Sequence, residues 1–234
     1  FSPITLTVNP SPQLDLHYFL ARNIISDDPL TEPIEPTVPA ELAVMIDNKG
    51  FGPAVNASIS SAQPEIVENE NGLAIEFALI GSSFQGQDAQ LGVTDISFGT
   101  IPAREARVGQ WLFTSTLLGK LISYETELIH ANSFGNPELS LITGVTLHEL
   151  IQSIRAYGEG DDEINDFLIN DIADVNDRPD KIYFSQGDST AEVLAASSAS
   201  FSGAISFPNY TNTLTMTPDQ AGWNFIQLDD PGMG

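Results

Sequence analysis

A chain of 234 residues, 41% of them hydrophobic and 13 of them Phe, can bury one large core or two modest ones, which excludes disorder as a description of the whole. Its 32 acidic residues against 8 basic give a net charge of −24, a field that repels nucleic acid and anionic membranes and attracts cations. With no cysteine there is no disulfide, thiolate metal site or thiol nucleophile, and no run of about 18 apolar residues is present to insert into a membrane.

The dominant period along the chain is two. "SPITLTV" (2–8) alternates Ile4, Leu6 and Val8, and "NPSP" (9–12) cuts it off from the next strand. Residues 1–9 therefore read as a detached strand suited to pairing with an open sheet edge. The proline-rich, acidic stretch 27–39 reads as an extended surface loop. Strands follow in "ELAVMIDN" (41–48), "GLAIEFALIG" (72–81), "GQWLFTSTL" (109–117) and "LISYETELIH" (121–130), divided by "NKGFGP", "ENENG" and "NSFGNP" turns. The inward set is expected to include Leu42, Val44, Ile46, Leu73, Ile75, Phe77, Trp111 and Phe113. "VTLHELIQSI" (145–154) fits a helix or a strand locally, and its β surroundings favour a terminal strand.

These spacings predict an all-β chain. An Ig-like antiparallel β-sandwich is expected over 1–157, an acidic linker over 158–181, and a small β-domain, or the first part of a longer one, over 182–234. The strands of that last part are "KIYFS", "AEVLAASS", "SFSGAISF", "TNTLTMT" and "WNFIQL". The start at Phe1 and the end in "LDDPGMG" suggest a portion of a larger protein.

Two turns carry a family likeness. "IDNKGFGPAVNASIS" (46–60) places Asn48, Gly50, Gly52 and Ala54 between two strands, and "ISFGTIPAREARVGQWLFTST" (96–116) brackets an Ile-Pro turn. Over roughly residues 13–143 the chain resembles bacterial immunoglobulin-like domains of the CARDB/APHP type, with their "N-x-G-x-G-x-A" and "G-x-I-x-P-G-x" turns. It departs at the second turn, where Ala103 and Arg104 replace the usual Gly. The run through "HELI" and "GWNFIQLDDPG" is similar to modules of very large secreted proteins. The resemblance implies an extracellular adhesion or spacer role and brings no catalytic residues. Independently of it, glycines in a tight turn are expected to supply positive φ.

The chemistry-bearing motifs are sparse. His148-Glu149 opens a zinc-protease signature, but Gln152 stands where the second histidine would meet the metal, and His17 and His130 lie in other predicted strands. No G-x-S-x-G elbow occurs. The chain is therefore expected not to be an enzyme. Trp111 and Trp223 sit in alternating strands and read as core before sugar platform. Hard oxygen ligands crowd 159–180, at Asp161, Asp162, Asp166, Asn170, Asp171, Asp174, Asn176, Asp177 and Asp180. No EF-hand register fits, yet "DVNDRP" (174–179) is similar to the calcium-binding linker of cadherins. A Ca2+ clamp and a merely solvated linker both remain open. Asn56 and Asn209 head glycosylation sequons. The expected function is a non-catalytic structural or adhesive module, secreted or on a cell surface. It would engage protein partners, including copies of itself in a fibre; the alternative is a carbohydrate-binding sandwich.

Overall fold

The computed structural model describes residues 10–59, 76–117, 119–120, 141–157, 161–172, 178–187, 189–196, 198–206, 209–218 and 220–226. The expected strands at 2–8 and 121–130, and the core positions Leu73 and Ile75, lie outside these residues. No helix occurs among them, so the all-β expectation holds.

In chain order the strands are β1 (Leu14–Ala21), β2 (Asn23–Ile24), β3 (Ala40–Asn48), β4 (Ala54–Ile59) and β5 (Phe77–Phe84). Next come β6 (Gln90–Leu91), β7 (Ile96–Ile101), β8 (Ala106–Ser115), β9 (Gly119–Lys120) and β10 (Ile142–Ile154). The chain continues through β11 (Asp166–Ile169), β12 (Lys181–Tyr183), β13 (Thr190–Ala195), β14 (Ser198–Ser206), β15 (Asn209–Thr217) and β16 (Trp223–Phe225). Ten strands make one sheet in the order β16-β13-β12-β11-β10-β1-β3-β8-β5-β6. The sheet is mixed rather than purely antiparallel, because β10 runs parallel to β1 and β16 parallel to β13. Strands on both sides of the expected linker belong to this sheet, since β11 lies within 158–181 and pairs with β10 on one edge and β12 on the other.

The centre of the sheet is apolar on both faces. In β3, Leu42, Val44 and Ile46 face one way while Ala43 and Met45 face the other, and all are buried. The first face packs beneath the small β4–β7 sheet, whose Ala54, Ile96, Phe98 and Ile101 meet Leu16, Tyr18, Trp111 and Phe113. Of the expected core, Leu42, Val44, Ile46, Trp111 and Phe113 are buried and Phe77 is half-buried.

The second face is covered by the sheet itself. Tyr183 of β12 is three strands away from β1, roughly 14 Å in a flat sheet. Its ring centroid nevertheless lies 4.9 Å from that of His17. Phe167 of β11 likewise stacks on Phe19 of β1 at 3.9 Å and 11°. The sheet must therefore bend back at β10. That strand pairs with β1 through Leu150 and with β11 from Leu150 onward, with a register break between Leu150 and Gln152. A bulge at that point supplies the bend. "HELI" is accordingly in an interior strand, where a terminal one was expected.

The turn after β3 departs from its expected physics. Neither Gly50 nor Gly52 has positive φ; a Cβ on Gly50 would lie 2.5 Å from the Gln13 nitrogen, and one on Gly52 would collide with the Pro10 carbonyl. Close approach of the 10–13 segment, not backbone sign, excludes side chains here. Positive φ falls instead on Asn56 (56°) after the first turn, and on Gly99 (63°) and Arg104 (64°) around the second. Both turns meet at Asn48, which is fully buried. Its Nδ2 donates to the carbonyls of Gly52 (2.8 Å), Ile101 (3.2 Å) and Pro102 (3.0 Å), while Oδ1 accepts from the Gly50 and Gln13 nitrogens. Asn48→Asp would turn a carboxylate oxygen toward three carbonyls. The expected cost is about 3 kcal/mol or more in urea unfolding, and a loss under about 1 kcal/mol would contradict this account of the turn.

Candidate functional site

Bending the sheet brings four titratable side chains from distant parts of the chain into one row, buried at Tyr183, His17 and His148 and open to solvent at Asp171. His17 projects from β1 beside Phe19, His148 from β10, and Tyr183 from β12; Asp171 follows the end of β11. The Nδ1 of His17 lies 3.1 Å from Nε2 of His148, and the Tyr183 hydroxyl lies 3.3 Å from Nε2 of His17. At the other end, Nδ1 of His148 lies 2.9 Å from Oδ1 of Asp171. The two imidazoles are nearly coplanar, at 22°, and their 5.4 Å centroid separation is close to the N···N distance plus two ring radii. They meet edge to edge.

This geometry orders the protons. A carboxylate only accepts, so with both rings neutral Nδ1 of His148 carries the hydrogen and Nε2 offers a lone pair. His17 then donates from Nδ1 and accepts the Tyr183 hydroxyl at Nε2. Every donor in the row points toward Asp171, whose second oxygen faces Lys181 Nζ at 3.4 Å. The hydrogen bond from His148 holds the Asp171 carboxyl below its ordinary value of 3.8, with burial opposing and the Lys181 ammonium assisting. On the flank of His17, Asp15 lies 3.8 Å from Nε2 and is itself paired with Lys49 at 2.9 Å. The row fastens β1, β10, β11 and β12 together. Phe19 and Tyr183 pack against the imidazoles, which are both buried.

The described carboxylates of the acidic stretch do not converge. Asp162 accepts from the Ile164 nitrogen and from Ser185 Oγ. Asp166 accepts from the nitrogens of Ser185 (2.9 Å) and Ala156 (3.1 Å). Asp161 receives the Glu163 nitrogen and Arg155 Nε, and Asp180 receives the nitrogens of Asp171 and Ile172. Burial pushes the Asp166 carboxyl above 3.8, against those backbone hydrogen bonds. Among the described residues no group of three or more His, Asp or Glu is placed to hold a metal ion. Asp174, Asn176 and Asp177 lie outside the described residues; Asn170 is buried beside Asp171.

The aromatic side chains divide clearly. Trp111 is buried and donates its Nε1 hydrogen to the Thr94 carbonyl at 2.6 Å, and Tyr183 is buried in the row above. Tyr157 is exposed with the Arg155 guanidinium 5.5 Å from its ring centre, and exposed Phe51 carries Arg104 at 4.3 Å. Trp223, expected in the core, is instead exposed on the short edge strand β16, and Tyr124 lies outside the described residues. An open cleft is lined by Ser82, Phe84, Asp88 and Asp95, with the Phe84 ring perpendicular to that of Phe98. No protein-family model, curated protein or solved structure matches the chain.

Two measurements check the buried row. Replacing His148 by Leu keeps the volume but removes the acceptor facing His17 Nδ1 and the donor facing Asp171. It should cost roughly 2–4 kcal/mol in urea unfolding with the far-UV spectrum unchanged. Unaltered stability would mean the row contributes nothing. Asp171 has a lowered folded value, so its stabilisation is complete above 3.8 and is lost as pH falls through that lowered value. The difference between wild type and Asp171→Asn, about 1 kcal/mol at neutral pH, should stay constant down to about pH 5 and close only below 3.8. A gap that closes near pH 6 instead would assign the effect to another group.

Proposed function

We propose that the chain is a non-catalytic structural and adhesive module of a larger secreted or cell-surface protein, acting through protein contacts. The observation that carries this reading is where the reactive side chains are committed. The described histidines face each other in the core, and Asp161, Asp162, Asp166, Asp171 and Asp180 each receive donors from their own loops or neighbours. Groups that could do chemistry are instead holding strands and turns in place.

Composition supports an external setting. A net charge of −24 with 8 basic residues suits a protein kept soluble by repulsion in salty external water. The CARDB/APHP-like turns fit the same reading: Asn48 organises the first, and Arg104 takes the left-handed backbone in the second, at the turn where the family places Gly. Carbohydrate recognition draws less support, since Trp111 is in the core and the exposed rings of Tyr157 and Phe51 each lie beneath an arginine, which leaves Trp223 as the exposed tryptophan.

The two readings separate in one pair of assays on the purified chain. Sedimentation over a wide concentration range, together with aggregation of coated beads, should report protein–protein association, and a glycan array should stay blank. Saturable glycan binding by a chain that never associates would replace the structural reading with the carbohydrate one.

A further inference from the structure

Among the described residues, strands β14 and β15 stand apart from the ten-stranded sheet and pair only with each other. Their register runs from Ser198↔Thr217 to Ser206↔Asn209 without a bulge. Residues 193–218 contain no Asp, Glu, Lys or Arg, in a chain whose net charge is −24. At the base of the ribbon Thr215, Met216 and Thr217 are all exposed. Consecutive strand residues point to opposite faces, so both faces are solvated there.

Such a ribbon is unusual in what it leaves undone. Two strands alone are marginal in water, and the outer edge of a strand presents N–H and C=O groups open to a further strand. Proteins usually blunt long edges with charge, proline, bulges or brevity. The large sheet does so by brevity, ending in the two-residue β6 and the three-residue β16. The nine-residue strands β14 and β15 have none of these protections.

We propose that the β14–β15 ribbon is a contact arm that pairs edge to edge, antiparallel, with the same ribbon of a second copy of this chain. Charge and symmetry select that occupant. Two molecules at −24 repel wherever their carboxylates approach, and the uncharged ribbon is where backbones can come together against the least repulsion. A strand edge paired antiparallel with its own copy about a two-fold axis matches donors to acceptors with no second sequence required. The result is a four-stranded sheet spanning two molecules. This deepens the structural reading above and rests on it.

The absence of cysteine makes a clean test, because a single introduced thiol reports alone. Ser198, Ser200, Thr213, Thr215 and Thr217 are changed to Cys one at a time, with Leu30→Cys, 92% exposed on a loop, as the reference. Under mild oxidation at least one ribbon thiol should give covalent dimers about tenfold faster than the reference, as raised local concentration requires. In parallel, Thr213→Glu with Thr215→Glu should weaken association about tenfold or more by sedimentation, while Val at both positions preserves it. Melting curves of the Glu and Val proteins confirm that the body is intact. Ribbon thiols no faster than the reference, or association indifferent to the Glu pair, overturn the arm but leave the structural module standing with another contact surface. A wild-type chain that never associates and binds glycans overturns both.

Discussion

Strand β10 has to satisfy two neighbours that lie on different walls of the molecule. Its first half runs parallel to β1, its last residues run antiparallel to β11, and the register breaks where the two tasks meet. Without that break the strands after β10 would continue outward as a flat extension, and Phe19, Met45 and Val108 would face water. With it, Phe167, Ile169 and Tyr183 close over them. The aromatic stack is non-directional and tolerates small slips. The row from Tyr183 through His17 and His148 to Asp171 does not, because hydrogen bonds demand set distances and angles. Apolar burial brings the two walls together, and the polar row fixes their register.

Period-two alternation made most strands legible in the sequence, including β3, β8 and β12 to β15. Alternation and flanking turn residues marked these elements, although β3 proves buried on both faces. The bend was beyond its reach. In "VTLHELIQSI" the exposed Val145 and Leu147 lie on one face, while His148 and Leu150 are buried on the other. A corner strand changes neighbours midway, so its pattern resembles neither a clean strand nor a clean helix. The His17–His148 contact was equally invisible, because 131 residues separate the two and each looks unremarkable within its own strand. The glycines of the first turn were found by sequence but for the wrong reason. Close approach of Pro10 to Gln13 is a tertiary contact, whereas positive φ at Arg104 is a local strain that no side-chain type announced.

The acidity of the chain has two physical roles that composition alone merges. Part of it lies on protein donors: Asp162, Asp166 and Asp180 terminate backbone N–H groups in the loops flanking β11 and β12, where peptide partners are lacking. Asp171 does the same for an imidazole. The exposed remainder sets the field around the molecule. A density of carboxylates near 160–180 therefore reads from sequence as one feature, a ligand cloud, while its described members accept from donors of their own loops, Asp162 and Asp166 sharing Ser185.

The placement of β1 has a mechanical consequence. It is held on both sides, by β10 in parallel and by β3 in antiparallel register, over nearly its whole length. Tension applied along β1 would load both ladders of hydrogen bonds at once, in shear, and the strand could leave only by breaking them together. Among the described residues the β14–β15 ribbon has a single seam, so a pull that separates its two strands would open it one bond at a time. The chain thus couples a stiff body to a compliant arm, and a filament made of such units would stretch first at its joints.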